Sequence, residues 1–376
     1  MMRSPIRSLV LLAVLAHAAE AQGSVATQGY GYPTGQLSAA ANGGGGAAAE
    51  IDAASALNPA ALAAGARYSV YMQFEPEFRA TRLGGAEERV RVMRFPGFSA
   101  SGGWGKFAAG VSFTTLLDRT WLNQYADTQA VGGIATPSSV IASSDGGITD
   151  VRFALAYAVR PRLQVGLALH ALSGQNRIDF GRTFSDSSGL GSAEQSSTLN
   201  FGGRGLSLGV IGMPIADLVI GASLRTSGPL SVRQDGDPLA SAQLPSRMGI
   251  GASWIGIPNT TLSVRVDQTR WTRMAELGSA RMSTFDAIDL GAGLEVVGPR
   301  IAGGLTALRV GVRERGLPFG VEGEAVRERT TSGGLSVPLG RSRGQIDLGL
   351  QRATRTSSSA ATEQAWLLSL GFGIRP

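Results

Sequence analysis

Few side chains in this chain of 376 residues can make or break bonds: there are two histidines, His17 and His170, and no cysteine. The lack of cysteine excludes disulfides, cysteine-based zinc sites and thiol catalysis. His17 falls in a segment that reads as a removable leader, which leaves His170 alone and excludes a two-histidine site. No serine near it in sequence forms a nucleophile elbow. Glu87-Glu88 and the pair Glu322/Glu324 lie in or beside connections between expected strands, where they are solvated. Asp145-Gly146-Gly147 lacks the further spaced oxygens of a calcium loop and reads as a turn. Gly-x-Gly patterns abound because 53 residues are glycine, so they carry no dinucleotide signal. No catalytic residue, cofactor or metal is expected.

The net charge is +6, but Lys106 is the single lysine and no run of four basic residues occurs, so nucleic acid is not an expected partner. What remains is binding and passage, and the elements that would position them are set by export and by strand periodicity. Arg3 and Arg7 precede the apolar stretch Leu9 to Ala16, and Ala19-Glu20-Ala21 is a small-x-small cleavage site. Residues 1–21 therefore read as a signal peptide removed after Ala21. Beyond it no stretch of about 18 apolar residues occurs. The exported chain is soluble or crosses a membrane with strands.

From Arg67 onward apolar residues recur every second position. Leu163, Val165, Leu167 and Leu169 oppose Gln164, Gly166, Ala168 and His170; Ile288, Leu290, Ala292 and Leu294 oppose Asp289, Gly291, Gly293 and Glu295. Segments at 217–225, 247–254, 345–351 and 366–374 repeat the pattern. One face is apolar and the other is small or polar, which suits strands with lipid outside and a polar lumen inside. Backbone polarity then requires closure. The pattern predicts an all-β fold, a transmembrane antiparallel β-barrel of about 14 strands over residues 67–376. Connections alternate in length. Short ones fall at 104–106, 160–161, 213–216, 256–259, 297–303 and 339–343, and mostly longer ones at 76–88, 118–148, 175–198, 228–245, 272–284, 315–329 and 355–364. Short periplasmic turns alternating with long outer loops are the expected asymmetry. Phe74, Phe95, Trp104, Trp254, Trp271, Phe285 and Trp366 fall near strand ends, as an interfacial girdle would.

Residues 22–66 lack this alternation. They contain Gly43-Gly44-Gly45-Gly46, Ala47-Ala48-Ala49 and, before the first strand, Asn58-Pro59-Ala60. Asp52 or Ser55 suits the cap of a short helical turn, and Pro59 the first position of another. The segment reads either as a flexible leader or as a plug small enough to pack inside a barrel.

This Ala/Gly-rich segment ending in Asn58-Pro59-Ala60 resembles the hatch of FadL-type outer-membrane transporters of long-chain fatty acids and other hydrophobic compounds. Leu244-Pro245 through Trp254, then Leu262 to Asp267, Thr269, Trp271 and Leu277, resembles that family's central hairpin. Asp289 to Glu295, Leu308-Arg309-Val310-Gly311-Val312 and Leu317-Pro318-Phe319 resemble the stretch that follows, with Val296 where the family has an aromatic. The resemblance implies capture in an outer groove and passage controlled by the hatch, in the bacterial outer membrane. Its expected contacts are a hydrophobic ligand and membrane lipid, and the expected state is a monomer.

Apolar residues in the long second connection, Trp121, Leu122, Tyr125 and Ile134 among them, offer a ligand surface. A carboxylate ligand would want a cation, and the inward arginines are Arg152, Arg225, Arg247, Arg265 and Arg309, most of them expected to pair with Asp267, Asp289 or Glu295. Two other readings compete: a non-transporting accessory barrel with a protein-secretion partner, and a general diffusion porin.

Overall fold

Strands with one apolar and one polar face can satisfy every backbone amide in hydrocarbon only by pairing on both edges. A computed structural model of the chain describes residues 31–65, 68–83, 86–185, 189–277, 283–301, 304–321, 323–340, 343–357 and 361–374. The expected leader over 1–21 lies outside them. After a short β1 (Tyr32–Pro33), the wall is built from β2 (Tyr68–Leu83), β3 (Ala86–Trp104), β4 (Phe107–Asp118), β5 (Trp121–Val131), β6 (Ile134–Arg160), β7 (Leu163–Phe184) and β8 (Ala193–Ile215). It continues through β9 (Leu218–Gln234), β10 (Asp237–Gln243), β11 (Ser246–Ile257), β12 (Thr260–Arg270), β13 (Ala287–Ile301) and β14 (Gly304–Val321). β15 (Glu324–Leu339), β16 (Gly344–Ser357) and β17 (Ala361–Ile374) complete it.

All pairings are antiparallel, and β17 pairs with β2 from Ile374↔Val70 to Ala361↔Leu83, which closes the ring. β4 and β5 both pair with β6 and act as one strand broken at Arg119-Thr120. β10 and β11 both pair with β9 and act as one strand broken at Leu244-Pro245, where proline has no N–H for the ladder. Counted this way the barrel has fourteen wall strands.

The short connections are turns such as Pro161-Arg162, Ala216-Asp217 and Pro258-Asn259. The expected long loops are largely strand. β6 runs 27 residues and β7 22, about twice what a bilayer requires. Apolar alternation failed to mark these outer stretches because their inward residues are charged and their outward ones mixed: Glu77, Arg79 and Thr81 on β2 are all buried. The bulky apolar residues face outward, with Phe153, Leu155, Val264 and Val310 each more than half exposed. Trp104, Phe107 and Tyr157 gather at the short-turn end, with ring centroids 6.4 and 4.8 Å apart. Trp271 departs from the expected girdle. It opens a 3-10 helix (Trp271–Leu277) and is buried inside the barrel mouth.

Residues 31–65 run through the lumen. Ser38 caps a one-turn helix α1 (Ala39–Gly43), its Oγ accepting from the Ala41 amide at 3.0 Å. Asn58 caps a second 3-10 helix (Pro59–Ala64) through Oδ1 and the Ala60 amide, with Pro59 in the first turn. Asp52 closes a turn on the Ala54 amide and starts no helix. Around this segment the wall presents glycine. A Cβ at Gly291 would stand 2.6 Å from the Gly45 carbonyl oxygen, one at Gly221 2.8 Å from that of Glu50, and one at Gly349 2.9 Å from that of Ala39. Gly166 and Gly209 meet Ala60 and Asn58 in the same way. The inward glycines thus outline the segment they enclose.

Gly291→Ala is expected to destabilise the barrel by about 1–3 kcal/mol through overpacking against Gly45. Gly191→Ala, where an added methyl meets nothing within 4 Å, should be neutral. Equal melting temperatures for the two variants would refute the close fit.

Candidate functional site

The lumen holds two layers that sequence spacing could not bring together. The lower is an ion lattice anchored on residues 31–65. The Tyr32 ring is surrounded by Arg355, Arg94, Arg315 and Arg79, whose guanidinium carbons lie 4.6, 4.8, 4.8 and 5.7 Å from its centroid. Its hydroxyl donates to Glu328 at 3.0 Å and accepts from Arg315. Arg355 in turn donates to Glu77 at 2.7 Å, Glu328 at 2.6 Å and Glu363 at 2.5 Å. Glu77 and Arg355 each meet three opposite charges, the condition under which burial is tolerated.

A second knot holds Glu50, which is fully buried and accepts from Ser223 at 2.8 Å and from Arg247. Arg265 donates to the Gly46 carbonyl and to Asp289, both at 2.8 Å, and Arg313 donates to Asp289 at 2.8 Å. A third joins the segment to β6–β9. Gln36 donates to Asp150 at 3.0 Å and accepts from Arg225 at 3.0 Å, while His170 meets Asp150 at 2.8 Å and Ser207 at 2.7 Å. Ser207, His170 and Asp150 have the order of a hydrolytic triad, but Ser207 is 1% exposed and the neighbouring amides of β8 serve the ladder, so no oxyanion hole accompanies it. The row is a strut across three strands.

Above the lattice lies an apolar layer: Leu117, Ile148, Leu172, Phe201, Leu230 and Leu244 from the wall, closed by Trp271 and Met274 of the 3-10 helix. Between the two layers sits a cavity of about 60 Å³, lined by Arg225, Arg247, Arg265, Arg313 and Arg315 below and by Leu57, Leu116, Trp271 and Ala287. Larger hollows of about 750 and 690 Å³ lie on the lipid-facing wall among Leu208, Met248 and Ile250, and among Val70, Phe153 and Leu167.

Among the described residues the wall has a seam between β3 and β4. β3 pairs with β4 only from Trp104↔Phe107 to Gly97↔Thr114. At Phe95-Pro96 a bulge opposite Phe74 bends β3, and Pro96 offers no N–H. Among the described pairings, β3 above Pro96 and β5 have no partner on the facing edges. β1 fills the foot of this seam, with Tyr32↔Asp118 and Pro33↔Leu117. The Arg94–Asp118 ion pair, at 2.5 Å, spans it from β3 to β4.

Of the residues that sequence singles out, Arg225, Arg247 and Arg265 line the cavity between the layers. Arg309 lies lower, bound to Glu295 at 2.6 Å beside a separate cavity of about 160 Å³ against α1. Trp121, Leu122, Tyr125 and Ile134 stand on the β5–β6 hairpin rather than on an irregular loop, and Leu122 and Ile134 are exposed. Asn58, Pro59 and Ala60 are buried against β6–β8, with the Asn58 amide donating to the carbonyls of Glu50 and Val210. Sequence reading missed Tyr32, Glu50 and the Glu77–Arg355 knot. Strongly charged strands without apolar alternation were the only available signal.

No family model and no curated protein matches the chain. Solved structures do. A Pseudomonas aeruginosa FadL homologue aligns with a TM-score of 0.64 at 11% identity, over 92% of this chain and 99% of that one. The Pseudomonas putida toluene transporter TodX gives 0.60 at 12%, over 94% and 100%. The Ralstonia pickettii toluene transporter TbuX gives 0.57 at 15%, over 91% and 98%. The chain has the FadL-type barrel fold. With its apolar exterior and short turns at one end, it is a barrel of the outer-membrane type. Among the described residues no helix is long and apolar enough to cross a membrane.

Glu50→Ala would leave Arg247 with only Asp267 and Ser223, at a cost of about 3–5 kcal/mol for a broken buried pair. The expected outcome is a lower melting temperature together with higher steady ion conductance in planar bilayers. Wild-type conductance in a folded variant would show that Glu50 does not hold the segment in place.

Proposed function

We propose that this FadL-type barrel is a channel for hydrophobic small molecules, in which residues 31–65 act as a hatch and the β3–β4 seam is the way out of the lumen. The observation that carries the reading is the stacking of an apolar layer on a charged lattice beside an unpaired stretch of wall. An apolar molecule held among Leu117, Ile148, Phe201 and Trp271 gains nothing by descending through Arg247, Arg265 and Asp289. Lipid lies one wall away, past β1. Capture begins on the exposed β5–β6 hairpin, where Trp121, Leu122, Tyr125 and Ile134 offer apolar contact. Arg225, Arg247 and Arg265 line the small cavity below that layer and would meet a polar head group if the ligand is an acid.

In this reading passage requires β1 to leave β4. Pro33 and Leu117 are cross-strand partners, and the chain has no native cysteine, so Pro33→Cys with Leu117→Cys can be cross-linked cleanly. Under oxidising conditions uptake of radiolabelled toluene and of oleate should fall to the level of cells lacking the protein, and a reductant should restore it. Uptake of one compound alone by the reduced protein assigns the substrate class. Unimpaired uptake by the cross-linked protein would refute the seam as the route. A large steady ion current through the wild type would identify a diffusion porin instead.

A further inference from the structure

Among the described residues four buried arginines carry nitrogens with no hydrogen-bond acceptor: Arg94, Arg152, Arg225 and Arg355. Three of them hold a carboxylate through another nitrogen. Arg94 pairs with Glu77, Arg225 with Asp150, and Arg355 with Glu77, Glu328 and Glu363. Arg152 holds none among the described residues, although it is only 4% exposed. Both its Nε and Nη1 are unpaired. The nearest acid is already engaged: the Asp150 carboxylate takes His170, Gln36 and Arg225. This part of the lumen therefore has two guanidinium groups, Arg152 and Arg225, for one carboxylate.

The second observation lies across the ladder. Ser112 on β4 is the cross-strand partner of Arg152 on β6, is 3% exposed, and its Oγ also has no partner. Facing side chains on paired strands start about 4.5–5.5 Å apart at Cβ, so both groups can reach one acceptor between them. The surroundings leave little room. Ala108, Ala154, Ala156, Ala168 and Leu62 pack together just below. A buried cation without a counter-charge costs several kcal/mol. A hydroxyl can lend its proton to the same acceptor that neutralises the guanidinium.

We infer that Arg152 and Ser112 form a site for a small monovalent anion of halide size, which neutralises the surplus arginine behind the foot of the seam. Chloride from the medium has the charge that Arg152 calls for, and a carboxylate head group offers the same chemistry. The site stands independently of any transport activity.

Crystals of the full-length protein grown in chloride and soaked in bromide should show an anomalous peak between the Arg152 guanidinium and Ser112 Oγ. In detergent, at constant ionic strength, the melting temperature should be a few degrees higher in chloride or bromide than in gluconate. Arg152→Gln should abolish both the peak and the halide-specific shift. Ser112→Ala keeps the cation and should weaken halide binding several-fold, which preserves the test if the glutamine variant does not fold. Decanoate that displaces the bromide would assign the same site to a carboxylate head group; bromide that decanoate leaves in place assigns it to the free ion. A site filled by water, with no anomalous signal and no halide-specific shift, overturns the inference. So does bromide found only on exposed arginines, an adventitious ion only.

Discussion

Every backbone amide at membrane depth must find a partner in protein, because hydrocarbon offers none. The rest of this structure depends on that constraint. It forces strand after strand to pair and the last to meet the first, so any local failure of pairing is costly and must be covered. Pairing fails above Pro96, where a bulge and a missing N–H part β3 from β4. The cover comes from residues 32 and 33, which pair with Leu117 and Asp118 from inside the barrel. The wall and the luminal segment are therefore not independent parts.

The same solvent logic sorts the side chains. On the membrane-crossing stretches leucine, valine and phenylalanine face outward because lipid accepts them, which leaves the lumen at that depth to glycine and charge. Most charges there are desolvated and sit in knots with opposite charges, with Arg152 an exception. Tyr32 shows how tightly this is arranged. One ring meets four guanidinium groups, which its π face favours, while its hydroxyl serves both Glu328 and Arg315. Removing the luminal segment would expose those arginines to one another, so the closed state is the one that electrostatics favours. In the proposed channel, opening would need a ligand whose contacts outweigh lost ion pairs, and the apolar layer above the lattice offers such contacts.

Much of this was legible in the sequence, and the limits have physical causes. Period-two alternation marked the membrane-crossing strands because lipid demands it. The outer halves of β6 and β7 were read as loops because no lipid touches them and their outward residues need not be apolar. The FadL-type likeness rested on Leu244-Pro245 and on Asn58-Pro59, both of which mark real features: a strand break and a capped 3-10 turn. The ion knots were out of reach. Glu77 and Arg355 are 278 residues apart, and only closure of the ring makes them neighbours. Trp271 was placed in a membrane girdle because an aromatic at a strand end has two faces to choose from. The 3-10 helix that follows turns it inward.

The glycine excess shows how far composition can be taken. Read on the strands alone, inward glycines mean open lumen. In the folded chain that space is occupied: carbonyls of Gly45, Glu50 and Ala39 stand where methyl groups would be. Glycine therefore trades side-chain volume for backbone contact, so the luminal segment can lie against the wall at close range while the charged layer above binds it from the side. Close backbone packing gives shape and the lattice gives attraction, and neither alone would hold an Ala/Gly-rich segment that has almost no apolar bulk of its own. A segment held mainly by polar contacts can be released without exposing a hydrophobic core, which is the property a movable closure needs.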